Sequence, residues 1–146
     1  MQTLPIKKLR ETARIPTRAT AGSAGYDLYA CLTEAVTIPA RGRGQIPTGI
    51  AISIGDPGVA AFVFGRSGLG IKQGIVPANA VGVVDSDYRG EIIVGLANHS
   101  DSDFTVRHGD RIAQMVLLPM LTPTLVEQDE LDETERGTGG FGSTGK

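Results

Sequence analysis

"IAISIGDPGVAAFVF", Ile50–Phe64, decides how this chain folds. Ile50, Ile52 and Ile54 alternate with Ala51 and Ser53; Val59, Ala61 and Val63 alternate with Ala60, Phe62 and Phe64. A period of two sends successive side chains to opposite faces of an extended strand, which no helix does. Gly55, Pro57 and Gly58 divide the two runs with turn-forming residues. The pattern recurs at Ile92, Val94 and Leu96, and "RIAQMVLLP", Arg111–Pro119, is a run short enough for a buried strand.

Outward from that stretch, 20 glycines and 8 prolines punctuate the 146 residues. The longest intervals lacking both are Tyr26–Ile38, Leu96–His108 and Thr124–Arg136, each 13 residues, so a helical domain is hard to build. Many short strands divided by Gly/Pro turns predict an all-β fold, a sandwich or barrel-like structure with jelly-roll connections. "SGLGIKQG", Ser67–Gly74, has room for one short helical turn. Four Phe, three Tyr and no Trp are few for a core, so association of subunits is expected to complete the burial. No internal repeat is visible.

The length suits one domain, and 40% hydrophobic residues suffice for a core. A net charge of −2 gives no support to a broad nucleic-acid-binding surface. Six of the sixteen acids fall in Glu127–Glu135, and the rest of the chain is mildly basic, which suits a small anionic substrate. Cys31 is alone, which excludes a disulfide framework and a thiolate metal cluster. The N-terminus lacks the apolar stretch of a secretory signal, and nothing approaches a membrane span. The expectation is a cytoplasmic protein, with the Asn98-His99-Ser100 sequon a coincidence.

Several segments carry candidate chemistry. "GVVDSDYRGEI", Gly82–Ile92, reads as a β-hairpin turning at Tyr88-Arg89-Gly90, with Val84 roughly opposite Ile93. Asp85 and Asp87 are two apart; they are turn-forming aspartates, a DxD metal site, or a pair of which one faces a pocket. "FGRSGLG", Phe64–Gly70, sets a guanidinium, a hydroxyl and accessible N–H groups at a strand end, a credible phosphate cradle. Ser67 is a poor candidate nucleophile, because a nucleophile elbow needs glycine where Leu69 stands. Asp27 sits inside the apolar "AGYDLYA" and should meet a cation, either an arginine or the water shell of a metal. Arg111 and Gln114 lie likewise in an apolar strand, while His99 and His108 show no triad or metal spacing and are expected on the surface.

The terminal "RGTGGFGSTGK", Arg136–Lys146, satisfies both the GxxxxGK and the GxGxxG pattern. Both patterns require a buried strand before them and a helix after them; the preceding VEQDELDETE is acidic and polar, and no following helix is expected. What survives is an anion-friendly glycine run carrying Arg136 and Phe141, a phosphate-binding cation and a ring able to stack.

In order, AGYDL, GRSGL, GVVDSDY, RIAQM and RGTGGFGSTG closely resemble the five motifs of the homotrimeric dUTPases (deoxyuridine 5′-triphosphate nucleotidohydrolases) of bacterial type, over about Pro16 to Gly145. The resemblance implies a jelly-roll fold of the β-clip kind with one short helix. A catalytic domain would span 1–126, and 127–146 would form a flexible acidic arm with a glycine-rich lid. It implies Mg2+-assisted hydrolysis of dUTP to dUMP and pyrophosphate in active sites shared by three chains. That activity would limit uracil incorporation into DNA and supply dUMP for dTMP synthesis. By motif position, Asp85 is the acid that orients and deprotonates the attacking water. Arg66, Ser67, Gly68 and Gln114 match phosphate contacts, and Asp27 matches an acid reaching magnesium through water. Asn79, Gly82, Val83, Val84 and Ile93 match the uracil pocket, and Tyr88 the ring that leaves no room for a 2′-hydroxyl. Arg136, Phe141, Gly142 and Ser143 match a lid from a neighbouring subunit, expected to order when a triphosphate binds. A dCTP deaminase shares the architecture, but "VVDSDYRG" favours the hydrolase; a catalytically silent jelly roll is the alternative of another class.

Overall fold

Residues 3–140 are described by a computed structural model. Among them the chain forms β1 (Ile6–Lys8), β2 (Tyr26–Tyr29), β3 (Val36–Ile38), β4 (Arg43–Pro47), β5 (Ile50–Ile52) and β6 (Val59–Phe64). A single helix follows, α1 (Ser67–Gln73), then β7 (Ile75–Pro77), β8 (Gly82–Val84), β9 (Ile93–Asn98), β10 (Phe104–Val106) and β11 (Arg111–Pro119). The expected short helix is thus present, over about two turns. It ends where Gly74, at φ 68°, closes the last turn by donating to the Gly70 carbonyl.

The strands pair only antiparallel, in four sheets: β2-β11-β6-β8, β4-β9-β7, β1-β5 and β3-β10. β11 lies between β2 and β6, far from both in sequence, and these crossovers make the all-β architecture jelly-roll-like. The apolar alternation reaches the core as expected, since Ile92, Val94 and Leu96 are buried together with Ala61, Val63, Ile50 and Ile52. One continuous core draws on all four sheets, including Leu28, Ile38, Ile46, Ile75, Val106 and Met115.

Two polar side chains are buried within this apolar mass. Thr48 Oγ1 donates to the Ile92 carbonyl at 2.6 Å. Asn98 donates to the carbonyls of Ile38, Pro39 and Ser102 and accepts from Ser100, so its amide is fully spent. The sequon asparagine is therefore a structural tie with nothing left to present to a glycosylation machinery.

One expectation fails in an informative way. Val84 does not face Ile93, because β8 pairs with β6, whereas β9 pairs with β4 and β7. The turn also comes earlier than Tyr88–Gly90: Tyr88 N–H donates to the Asp85 carbonyl at 3.2 Å, so Asp85–Tyr88 is the tight turn. The two arms of the "hairpin" belong to different sheets and open away from each other. Past β11, residues 120–140 carry no strand or helix, and Leu121, Leu125 and Leu131 stand 93%, 92% and 85% exposed.

Candidate active site

The gap between those diverging arms is a cavity of about 260 Å³. Asn79, Gly82, Val83, Val84, Asp85, Tyr88 and Ile93, seven candidates from the sequence, all line it. Val63, Pro77, Ile92, Val94 and Gly95 add wall that motif reading did not assign. Gly82 is bare for a reason: a Cβ there would sit 3.1 Å from that of Val63 and 3.6 Å from Asn79 Nδ2. Val83 and Ile93 are exposed apolar side chains at the mouth.

Asp85 opens the turn that closes the cavity's end. Its carboxylate and that of Asp87 accept no hydrogen bond from the described residues, so neither is used to cap the turn; Arg89 does that, donating to the Ser86 and Tyr88 carbonyls. Asp85 lines the cavity and Asp87 does not. The tight turn thus separates two carboxylates that a regular strand would have kept on one face. Tyr88 lies against Gly90 so closely that a Cβ there would be 2.3 Å from the phenol oxygen, and its O–H donates to the Glu91 carbonyl at 3.0 Å.

Glu91 is a cavity residue that motif reading does not single out. Its side chain is largely buried at the cavity wall. It takes a two-pronged ion pair from Arg10, Nη2 to Oε2 at 3.0 Å, and the Gly49 N–H at 2.7 Å. The Arg10 guanidinium holds this carboxyl below the usual range; burial opposes the shift, and the Gly49 N–H adds to it. Arg10 is raised in turn, chiefly by the same hydrogen bond. Nothing in the local sequence announces a partner 81 positions away.

The phosphate candidates gather elsewhere. Asp27 on β2 meets its expected cation twice over: Arg66 Nε donates to Oδ1 at 2.9 Å and Arg111 Nη1 to Oδ2 at 3.2 Å. Gln114 is the cross-strand partner of both Asp27 and Phe64, and donates to the Gly65 carbonyl at 2.8 Å. Gly25 gives it space, since a Cβ would stand 2.6 Å from Gln114 Oε1. Arg111 and Gln114 are three apart and in a regular strand would face opposite ways. A bulge between Arg111 and Ala113 inserts one residue, so Arg111 pairs with Tyr29 while Gln114 pairs with Asp27, and both face the carboxylate's side.

Arg66 precedes α1 as its N-cap, and Ser67 and Gly68, both exposed, open the helix. Arg66 and Arg111 line a second cavity, of about 590 Å³, which shares no residue with the first. Among the described residues no three His, Cys, Asp or Glu side chains group as metal ligands. Both histidines are exposed. Arg136 is exposed, its Nε donating to the Gly139 carbonyl. Phe141, Gly142 and Ser143 lie outside the described residues.

A sequence profile described as dUTPase matches residues 11–145. The chain belongs to the dUTPase family. Among similar proteins, a deoxyuridine 5′-triphosphate nucleotidohydrolase of Desulfitobacterium hafniense is 54% identical over 132 residues, covering 90% of this chain and 87% of that one. One from Janthinobacterium is 47% identical, covering 100% of this chain and 99% of the relative. In three dimensions, the Staphylococcus bacteriophage 80alpha dUTPase with dUPNHPP superimposes with a TM-score of 0.90 at 29% identity, over the full length of both chains. A dUTPase mutant of phage phi11 of S. aureus, whose structure concerns coordination of a structural Mg(II) ion, gives 0.81 at 25% identity, covering 90% of this chain and all of that one. The fold is thus that of the dUTPase family. No helix among the described residues is long and apolar enough to cross a membrane.

Proposed function

We propose that this chain hydrolyses dUTP to dUMP and pyrophosphate, with Asp85 positioning and deprotonating the water that attacks the α-phosphorus. The carrying observation is the cavity in which Asn79, Gly82–Val84, Tyr88 and Ile93 meet an uncommitted Asp85, in a chain of the dUTPase family. Backbone groups of β8 and the Asn79 amide recognise the uracil edge. Cytosine presents the opposite donor pattern and would leave buried groups unpaired, so the site rejects it. Tyr88 packs on the deoxyribose and excludes a 2′-hydroxyl. An aspartate is a weak base, and its contribution here is placement within hydrogen-bond reach of the water.

Arg66, Ser67, Gly68 and Gln114 bind the phosphates, and positioning with charge neutralisation supplies most of the acceleration. These groups line no cavity with the uracil pocket, which supports a site assembled from several copies in a homotrimer. The exposed apolar arm after β11 supports the same reading, with residues 127–146 carrying Arg136, Phe141, Gly142 and Ser143 to a neighbour's site as a lid. Magnesium fits outside the protein's own ligands: each Asp27 oxygen accepts one guanidinium N–H, leaving lone pairs for a metal-bound water. When bound with the triphosphate, Mg2+ supplies charge neutralisation at the phosphates. The protein acts in the cytoplasm, limiting uracil in DNA and supplying dUMP for dTMP synthesis, without itself binding nucleic acid.

Pyrophosphate release measured across dUTP, dCTP, dTTP and UTP with magnesium tests the reading. Turnover of dUTP with little of the others is expected; equal turnover of UTP would remove the role given to Tyr88, and no turnover of dUTP would remove the function.

A further inference from the structure

We propose that Glu91 is a positioning residue: clamped by Arg10 and Gly49, it sets the returning wall of the nucleoside cavity and aims Tyr88 at the sugar. The inference rests on reading that cavity as the deoxyuridine pocket. Its starting point is the failed hairpin. The outgoing wall, Gly82–Val84, is bonded to β6, and no ladder bond joins it to β9. The width of the cavity is therefore set by whatever anchors each wall separately.

On the returning side the anchors converge at one place. Ile92 N–H donates to the Ile50 carbonyl at 2.9 Å, and the Thr48 hydroxyl and N–H both donate to the Ile92 carbonyl. Beside them, the Glu91 carboxylate takes the Arg10 fork and the Gly49 N–H. Gly49 tolerates no side chain: its φ is +70°, and a Cβ would meet Ala13 Cβ at 2.7 Å and Cys31 Sγ at 2.8 Å. Its carbonyl accepts from Leu9 N–H at 2.7 Å, which fixes the segment carrying Arg10. The same residue whose side chain is held in this way offers its backbone carbonyl to the Tyr88 phenol. Side chain and main chain of Glu91 thus link Arg10 to the ring that gates the sugar.

An exposed ion pair tied to nothing else has little consequence. This one is tied to backbone, and a wall displaced by a fraction of an ångström loosens the fit around the 2′-carbon. Pockets that discriminate through one ring and one missing oxygen are sensitive to such slack. Glu91 has its oxygens engaged by three N–H donors and takes no part in proton transfer, so its loss falls on binding and selectivity more than on the chemical step.

The test compares the full chain with Arg10→Ala, Glu91→Gln and Glu91→Ala, measuring KM and kcat for dUTP and the ratio of kcat/KM between dUTP and UTP. Glu91→Ala is expected to raise KM about tenfold and to narrow the dUTP/UTP ratio by a similar factor, with kcat changed much less. Arg10→Ala should move both quantities the same way by roughly threefold, and Glu91→Gln, which keeps an acceptor for Gly49, should fall between the parent and Glu91→Ala. If Glu91→Ala does not fold, Arg10→Ala decides, since that side chain is exposed. Folded variants with the parent's KM and ratio, or a fall confined to kcat, would overturn the proposal. A parent inactive on dUTP would be a different result, overturning the function itself and this inference with it.

Discussion

The cavity beside Asp85 and the Asp27 cluster solve opposite problems. In the cavity, apolar side chains such as Val83 and Ile93 stay exposed, and the Asp85 carboxylate accepts no hydrogen bond from the described residues. Around Asp27, charge is neutralised within the chain: one carboxylate, 14% exposed, joins two guanidiniums. The first region is poised for a ligand, and the second is folded around its own ion pairs. An exposed carboxylate keeps water as its partner at little cost, while a partly buried charge left unpaired would cost several kcal/mol. One region therefore leaves its polar groups open, and the other holds two arginines on one carboxylate.

Exchanging a residue in each region separates them, beginning with the largest expected effect. Asp85→Asn should lower turnover of dUTP by about 10³-fold with binding retained, read by single-turnover kinetics and calorimetric titration. Turnover within twofold of the parent would erase the contrast between the regions. Asp27→Ala should act first on the fold, leaving Arg66 partly buried without its partner. A loss of about 1–3 kcal/mol is expected in denaturant unfolding, with activity falling alongside. Stability unchanged by that substitution would mean the cluster does not hold the fold together.

Arg111→Ala sharpens the same point, since this side chain is half exposed and donates over a longer bond than Arg66. Its stability cost should stay below about 1 kcal/mol, measurably less than that of Arg66→Ala. The smallest effect is pH-dependent. Glu91 is held below its ordinary carboxyl value of 4.5 when folded, so its contribution to stability is fully present above that value. It is lost as the pH falls through the depressed folded value. Unfolding midpoints of the parent and Arg10→Ala should therefore differ at neutral pH and converge in acid; a constant gap would argue that the pair acts through packing alone.

How legible these regions were differs for physical reasons. The strands were readable because alternation and core burial are the same fact in a two-sided strand: Val94, Leu96 and Val63 could not be placed outward without exposing the core. The cavity residues Gly82–Tyr88 were readable as a contiguous motif resembling one of the dUTPases, whereas the regular hairpin read from local geometry did not form. The bulge at Arg111–Ala113 was not, because no residue type there demands an extra position. Nor was Glu91, whose partners Arg10 and Gly49 arrive from distant parts of the chain.

Sequence by itself determined that this chain is built of short strands, belongs to a dUTP-hydrolysing class, and carries an aspartate at a turn. Local propensity, side-chain period and motif order need no knowledge of neighbours. Tertiary structure alone decided that the two arms around Asp85 part into separate sheets, that Asp27 holds two arginines, and that Arg10 pairs with Glu91. Those outcomes depend on which strands pair, and pairing is settled by burying one shared core rather than by any single segment.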